Sequence, residues 1–321
     1  MKDVTVWVLA RADDPALPVL QQAGAGVRFV RGTAPGDFAP GPPPDAILVC
    51  SMGRAVLEPV WALAPGTPWI HTRAAGLDSL LFPALVDSGV VLTNGRGVFS
   101  ASLAEFVIGA LLYFARDFPR LARNQRRGVW GAFEPLDLAG RTLGIVGYGD
   151  IGRAVAERAH RLGMKVLALR RRTLLSAADP WVDETLPREE LVALVRRADD
   201  VVVATPLTAE TRGLVGEVAI GAMKPGAVLV NVGRGPVVDE ASLARALAEH
   251  RIRGAALDVF ETMPLPPASP LWGLDNLLLS PHCADNTPGW LEAAMRAFLA
   301  NLERFRRGER LLNVVDKRRG Y

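Results

Sequence analysis

Short apolar runs recur along the chain with helical stretches between them. Residues 4–10, 27–30, 46–50, 69–71 and 90–93 read as strands, and a second series follows at 143–146, 165–169, 201–204, 227–231, 254–258 and 276–279. This rhythm of strands and helices means parallel sheets with crossover helices. Between them, Ile151, Val155, Ala159 and Leu162 share one helical face before Gly163 ends it. Leu103, Phe106, Val107, Ala110, Leu111 and Phe114 predict one long amphipathic helix over 103–122, with Ser102 and Glu105 as its capping box, bridging two domains. A last helix is predicted over 290–307 from Leu291, Met295, Phe298, Leu302 and Phe305. The loop at 34–44, APGDFAPGPPP, reads as a surface connection. Two alternating series mean two α/β domains with doubly wound parallel sheets and a cleft between them. The first series is short of covering helices, so the last helix is expected to return to it. That gives a discontinuous domain of 1–99 plus 286–321, interrupted by a domain over 100–285.

Composition narrows the class without changing this picture. The 321 residues are 50% hydrophobic and 22% charged, enough for a full core in each of two domains. A formal charge of +3 is spread along the chain with no basic run interleaved with aromatics, so no nucleic-acid partner is expected. Cys50 and Cys283 lack metal-ligand spacing and are read as buried free thiols of a reducing compartment, with no metal. No apolar stretch reaches membrane-spanning length, and the N-terminal MKDVTVWVLA is a strand without a cleavage site, so no membrane partner and a cytoplasmic location are expected.

The most specific chemistry lies at 143–152, LGIVGYGDIG, where a strand runs into Gly147, Gly149 and Gly152. G-x-G-x-x-G between a strand and a helix allows a tight turn, close backbone approach to a pyrophosphate and close helix packing, with phosphates at the helix N-terminus. Gly147, Tyr148, Gly149, Asp150, Ile151 and Gly152 are therefore candidate cofactor contacts, and the fold class becomes Rossmann-like or flavodoxin-like. The bland alternative is an ordinary glycine turn. NAD-binding versions carry an acid at the end of the next strand for the ribose hydroxyls; here that strand ends in Arg170, Arg171 and Arg172. Guanidinium groups cannot accept those bonds but pair with a 2′-phosphate, which favours NADP(H), with NAD(H) as the alternative. Arg234 follows the strand ending at Asn231 in a Gly-Arg-Gly turn at the C-terminal edge of the sheet, where its planar fork suits an anionic ligand, or is a loop arginine in solvent. Turns after first-domain strands, at Met52 and Gly53 and at Ala75 and Gly76, offer backbone N–H groups that could hold a carboxylate, or are simple turns. Arg54 and His71 are secondary candidates.

Three further stretches, 204–216 (ATPLTAETRGLVG), 231–247 (NVGRGPVVDEASLARAL) and 254–282 (GAALDVFETMPLPPASPLWGLDNLLLSPH), complete an ordered set with the glycine turn. In that set the chain resembles the D-isomer-specific 2-hydroxyacid dehydrogenase family, including its glyoxylate/hydroxypyruvate reductases. The resemblance implies an NAD(P)-dependent oxidoreductase, usually a homodimer, moving a hydride between the nicotinamide and C2 of a small 2-keto or 2-hydroxy acid. It implies catalytic roles for Arg234 and for His282 as the general acid. It also implies cofactor contacts from Pro206, from the backbone at Val232 and Gly233, and from Asp258 to the nicotinamide carboxamide.

One position departs from that pattern. Met263 stands where the family has the glutamate that pairs with the histidine, so the relay is incomplete and optimal keto-acid reduction is expected to shift toward acid pH. Glu261 or Asp285 is a candidate replacement; alternatively Met263 only fills an apolar gap. The departure keeps open a second reading, a dinucleotide-sensing, corepressor-like regulatory protein with weak or no catalysis. A dehydrogenase acting on formate or phosphite is a third.

Overall fold

The computed structural model describes residues 2–38, 42–50, 52–171 and 179–321. The chain forms two compact units, Met1–Phe99 with Thr287–Tyr321, and Ser100–Asn286. Among the described residues no helix is long and apolar enough to cross a membrane.

The first unit is a five-stranded parallel sheet of β1 (Val4–Leu9), β2 (Val27–Gly32), β3 (Ala46–Val49), β4 (Trp69–Thr72) and β5 (Val91–Thr93), in the order β2-β1-β3-β4-β5. Successive side chains on a strand face opposite ways, so each strand feeds two cores. Trp7, Leu9, Ile47, Val49 and Ile70 pack with Leu57 and Val60 of α1 (Arg54–Ala62) and Leu85 of α2 (Pro83–Asp87). Val6, Val8, Leu48 and Trp69 face the other way and meet Met295, Phe298 and Leu302 of a helix from the end of the chain, Trp290–Arg306. Trp69 stacks on Phe298 with ring centroids 5.4 Å apart. The C-terminal residues tie in by polar contacts as well: Arg306 Nη2 donates to the Ala25 carbonyl at 2.7 Å, and Lys317 Nζ to the Val90 carbonyl at 2.8 Å. His71 belongs to this core and not to a ligand surface. It is 1% exposed, its Nδ1 lies 2.8 Å from Thr93 Oγ1, and burial pushes its pKa down to about 3. The other secondary candidate, Arg54, is exposed and paired with Glu58 at 2.8 Å.

The second unit begins with α3 (Ser100–Ala115) and α4 (Phe118–Arg127), then β6 (Thr142–Val146), α5 (Asp150–Arg161), β7 (Lys165–Leu169) and β8 (Glu184–Leu186). It continues through α6 (Leu191–Arg197), β9 (Asp200–Val203), α7 (Glu217–Gly221), β10 (Val228–Asn231), α8 (Glu240–Ala248), β11 (Gly254–Leu257) and β12 (Leu277–Leu279); the terminal helix of the first unit is α9 (Trp290–Arg306). Strands β6 to β12 form a seven-stranded parallel sheet in the order β12-β11-β10-β9-β6-β7-β8. Val201, Val203, Leu229, Ala255 and Leu257 pack on Leu194, Ile220 and Leu243 from three of these helices. At the N-terminal ends of the neighbouring β6 and β9, Arg141 holds Asp200 through paired bonds of 2.9 Å, Nε to Oδ2 and Nη2 to Oδ1.

Four expectations are corrected. The helix over 103–122 is two helices: Pro119 fits only a first helical turn, so the chain breaks at Asp117, which is left-handed (φ 50°) and caps the new helix by accepting from Arg120 N. Ser102 and Glu105 lie inside α3, which starts at Ser100, and do not form its N-terminus. Leu162, expected on the buried face of the helix after the glycine turn, is at its C-cap and 42% exposed. Cys50 is buried, but Cys283 is exposed; both are free thiols. One strand was missed, because β8 is only three residues long and its burial rises from exposed Glu184 to buried Leu186 without an apolar run.

Candidate functional site

The C-terminal edge of the second sheet is assembled from three turns, each shaped by its own sequence. At the first, β6 passes through Gly147 (φ 100°) into α5. A Cβ on Gly147 would fall 2.6 Å from Thr205 Oγ1, and one on Gly152 would fall 2.4 Å from the Gly147 carbonyl oxygen, so neither position accommodates a side chain. At Gly149 a Cβ would meet nothing within 4 Å, so the backbone there faces open space, and no side chain caps the helix that begins at Asp150. The open backbone and the uncapped N-terminus fit a pyrophosphate. Tyr148 is buried with the Arg170 guanidinium 5.9 Å from its ring centroid, and Ile151 is half-buried. Arg171 pairs with Glu210; Arg172 lies outside the described residues.

The second turn follows β10. Asn231 accepts from Gly233 N through Oδ1 at 3.0 Å and donates through Nδ2 to the Arg234 carbonyl at 3.1 Å. This Asx clamp fixes Val232, Gly233 and Arg234 as one rigid turn, with Arg234 half-buried and its Nη1 donating to the Gly233 carbonyl. Gly233 and Gly235 permit close backbone packing: a Cβ on Gly233 would lie 2.7 Å from Thr205 O, and one on Gly235 would lie 1.9 Å from the Phe260 carbonyl carbon. Pro206, after β9, is exposed, and its carbonyl accepts from Thr211 Oγ1 at 2.6 Å.

Asp258, 1% exposed, and His282 form the third turn. Asp258 Oδ1 accepts three bonds, from Ser280 Oγ at 2.5 Å, Cys283 N at 2.9 Å and Ala284 N at 3.1 Å. These bonds wrap the chain around His282, which is exposed and left-handed at φ 54°. A non-glycine residue in that region persists only where its surroundings hold it, and the Asp258 carboxylate is what holds it here. Asn231 and Ser280 are therefore site residues that sequence reasoning missed. The available signal was a polar residue ending an apolar strand just before a turn.

Met263 is exposed. Of the two carboxylates considered as replacements, Glu261 is exposed, and its N–H is bonded to Glu240 Oε2 at 2.9 Å. Asp285 is half-buried within electrostatic reach of Asp258, His282 and Arg234. Burial pushes its pKa up and the Asp258 charge adds to this, while His282 and Arg234 oppose it. In the first unit, Met52, Gly53 and Gly76 line a cavity of ≈ 240 Å³ with Cys50, Thr72 and Ser79. Ala75, next to this wall, has its carbonyl taken by Asn94 Nδ2 at 2.7 Å. Among the described residues no group of three or more His, Cys, Asp or Glu side chains is placed to hold a metal.

Residues 108–284 match the family described as D-isomer specific 2-hydroxyacid dehydrogenase, NAD binding domain. A glyoxylate reductase of Korarchaeum cryptofilum is 37% identical over 267 residues, covering 80% of this chain and 79% of its own. A D-3-phosphoglycerate dehydrogenase of Methanocaldococcus jannaschii is 34% identical over 279 residues, and this chain spans about half (51%) of that longer protein. Among solved structures, a D-isomer specific 2-hydroxyacid dehydrogenase of Xanthobacter autotrophicus, in complex with NADPH and MES, superposes with a TM-score of 0.84 at 34% identity over 100% of both chains. Agreement of this depth, in sequence and in fold, makes the chain a member of the D-isomer specific 2-hydroxyacid dehydrogenase family.

Proposed function

We propose that the protein reduces a small 2-keto acid, such as glyoxylate or hydroxypyruvate, to the 2-hydroxy acid, using NADP(H) in preference to NAD(H). One observation carries the reading: the glycine turn, the clamped Arg234 turn and the clamped His282 turn share one edge of one sheet. NADPH, when bound at the glycine turn, supplies the hydride that C2 receives. Arg234 holds the substrate carboxylate and polarises the keto oxygen, and His282 gives that oxygen its proton as the carbonyl becomes an alcohol. Asp258 spends one carboxylate oxygen on the His282 turn, which leaves the other to accept from the nicotinamide carboxamide. The second unit is then the nucleotide-binding domain. In the first unit, the backbone N–H groups near Met52, Gly53, Ala75 and Gly76 suit a carboxylate, beside the cavity that Met52, Gly53 and Gly76 line.

Arg234 and His282 are both present and held in rigid turns, which favours catalysis over a purely dinucleotide-sensing role. The reading also includes a cytoplasmic homodimer. Supporting the dimer, Phe118 and Leu121 of α4 and the following Val129 and Trp130 are exposed, Trp130 fully, and a second copy of the chain is the partner that would cover them. The deciding experiment is parallel initial-rate measurement of NADPH and NADH oxidation with glyoxylate, hydroxypyruvate and longer 2-keto acids across pH. Turnover with a short acid and NADPH is expected; no oxidation of either cofactor with any acid overturns the proposal.

A further inference from the structure

A group of charges at the sheet edge is not accounted for by the glycine turn. β7 and β8 pair in parallel with Leu169 opposite Leu186, so the chain leaving β7 at Arg170 and Arg171 emerges beside the chain leaving β8 at Pro187 and Arg188. Glu210 arrives from a third direction, on the loop after β9 that also carries Pro206. Its Oε2 lies 3.5 Å from Arg171 Nη1 and 3.3 Å from Arg188 Nη1, and Arg188 Nη2 donates to the Glu210 carbonyl. The loop is braced internally, Thr208 N donating to Thr211 Oγ1 at 2.8 Å and Thr211 Oγ1 to the Pro206 carbonyl at 2.6 Å. One carboxylate thus sits between two guanidinium groups at the end of the strand after the glycine turn, where a Rossmann sheet receives the adenosine ribose.

We propose that Glu210 is an internal stand-in for the 2′-phosphate of NADP(H), and that Arg188 joins Arg171 in binding that phosphate once it displaces the carboxylate. The inference rests on the NADP(H) reading above and adds to it a residue, Arg188, two positions beyond a strand that the sequence pattern did not reveal. Charge decides the exchange. A phosphate carries up to twice the charge of a carboxylate and three strong acceptor oxygens for guanidinium donors. The pairs it must break are partly exposed and therefore weak. NAD(H) has only a 2′-hydroxyl, which can donate to the carboxylate and need not displace it, so Glu210 holds down NADP(H) affinity without penalising NAD(H).

Equilibrium binding of NADPH, NADH, adenosine 2′,5′-bisphosphate and 5′-AMP to wild type, Arg188→Ala and Glu210→Gln tests this. Arg188→Ala should weaken NADPH and the bisphosphate about tenfold, with NADH and 5′-AMP within twofold. Glu210→Gln should tighten the two 2′-phosphorylated ligands about threefold and tighten neither NADH nor 5′-AMP. Equal loss of all four ligands in either variant would make Glu210 and Arg188 a strut for the loop and overturn the inference. So would an unchanged NADPH-to-NADH ratio in variants of a wild type that prefers NADPH, and in that case the NADP(H) reading would survive. Should wild type itself bind NADH more tightly than NADPH, the NADP(H) reading falls first.

Discussion

Gly235→Ala tests whether the Arg234 turn and the segment after Asp258 are locked together. A Cβ at residue 235 would lie 1.9 Å from the carbonyl carbon and 2.0 Å from the oxygen of Phe260, and 2.5 Å from Glu261 N. All three are backbone atoms, so no rotamer change relieves the overlap. Glu261 N is held from behind by Glu240 Oε2, and the Arg234 turn by Asn231, so neither segment yields easily. Ordinary contact begins at 3.4 Å, and the two segments must therefore part by about 1.5 Å. Overpacking of this kind lies at the upper end of the usual range, about 3 kcal/mol of stability. Arg234 is bonded directly to the displaced residue, and a shift of about 1 Å in a positioning group costs roughly 100-fold in rate. The assay is kcat for 2-keto acid reduction, with the denaturant midpoint and NADPH affinity measured on the same samples. Expected are a fall in kcat of about 100-fold, a lower midpoint, and NADPH affinity changed by less than about tenfold because the glycine turn is untouched. A variant with kcat within threefold of wild type and an unchanged midpoint would refute the rigid abutment.

Three other outcomes are expected. Unfolded His71 titrates near 6.5 and the buried imidazole near 3, so between those values only the unfolded chain takes up the proton. Stability then falls as pH drops through that window, by about 1.4 kcal/mol per unit, and urea midpoints from pH 7 to 5 should show the slope in wild type and not in His71→Gln; a flat wild-type profile would sink the assignment. Met263→Glu should raise the reductase rate at pH 7 by about threefold or more and move the optimum toward neutral; an unchanged pH–rate profile would mean that another carboxylate, Asp285 foremost, already serves. Trp130→Arg should convert the proposed dimer to monomer in sedimentation velocity at micromolar concentration, and a wild type that is itself monomeric refutes the homodimer.

Most of the architecture was legible because short apolar strands recur in alternation with helices, and the central ones are buried on both faces. Each of the eleven apolar runs is a strand, from VTVWVL in β1 to LLL in β12. What escaped notice was local and polar. β8 has no apolar run to announce it, and the break at Asp117 depends on one proline whose preference for a first helical turn outweighs a continuous amphipathic pattern. The glycine turn and Arg234 were visible because their spacing is fixed by backbone geometry. The Asn231 clamp is local, and its signal was only a polar residue ending an apolar strand; the clamp of Asp258 on Ser280 and the His282 turn was not visible, since it depends on the ends of β11 and β12 lying side by side, a property of sheet order. Arg188 was hidden for the same reason, reaching Glu210 only because β8 lies next to β7.

The covering of the first sheet by α9 has a consequence for biogenesis. On the ribosome, β1 to β5 are made before the second unit, but Met295, Phe298 and Leu302, which bury Val6, Leu48 and Trp69, emerge only after the whole of Ser100–Asn286. The second unit's sheet is made of its own strands and can fold as soon as it clears the exit tunnel, while one face of the first remains bare until α9 follows. Nascent chains stalled before residue 287 should therefore carry a folded second unit and an exposed apolar sheet, the kind of surface that general chaperones retain.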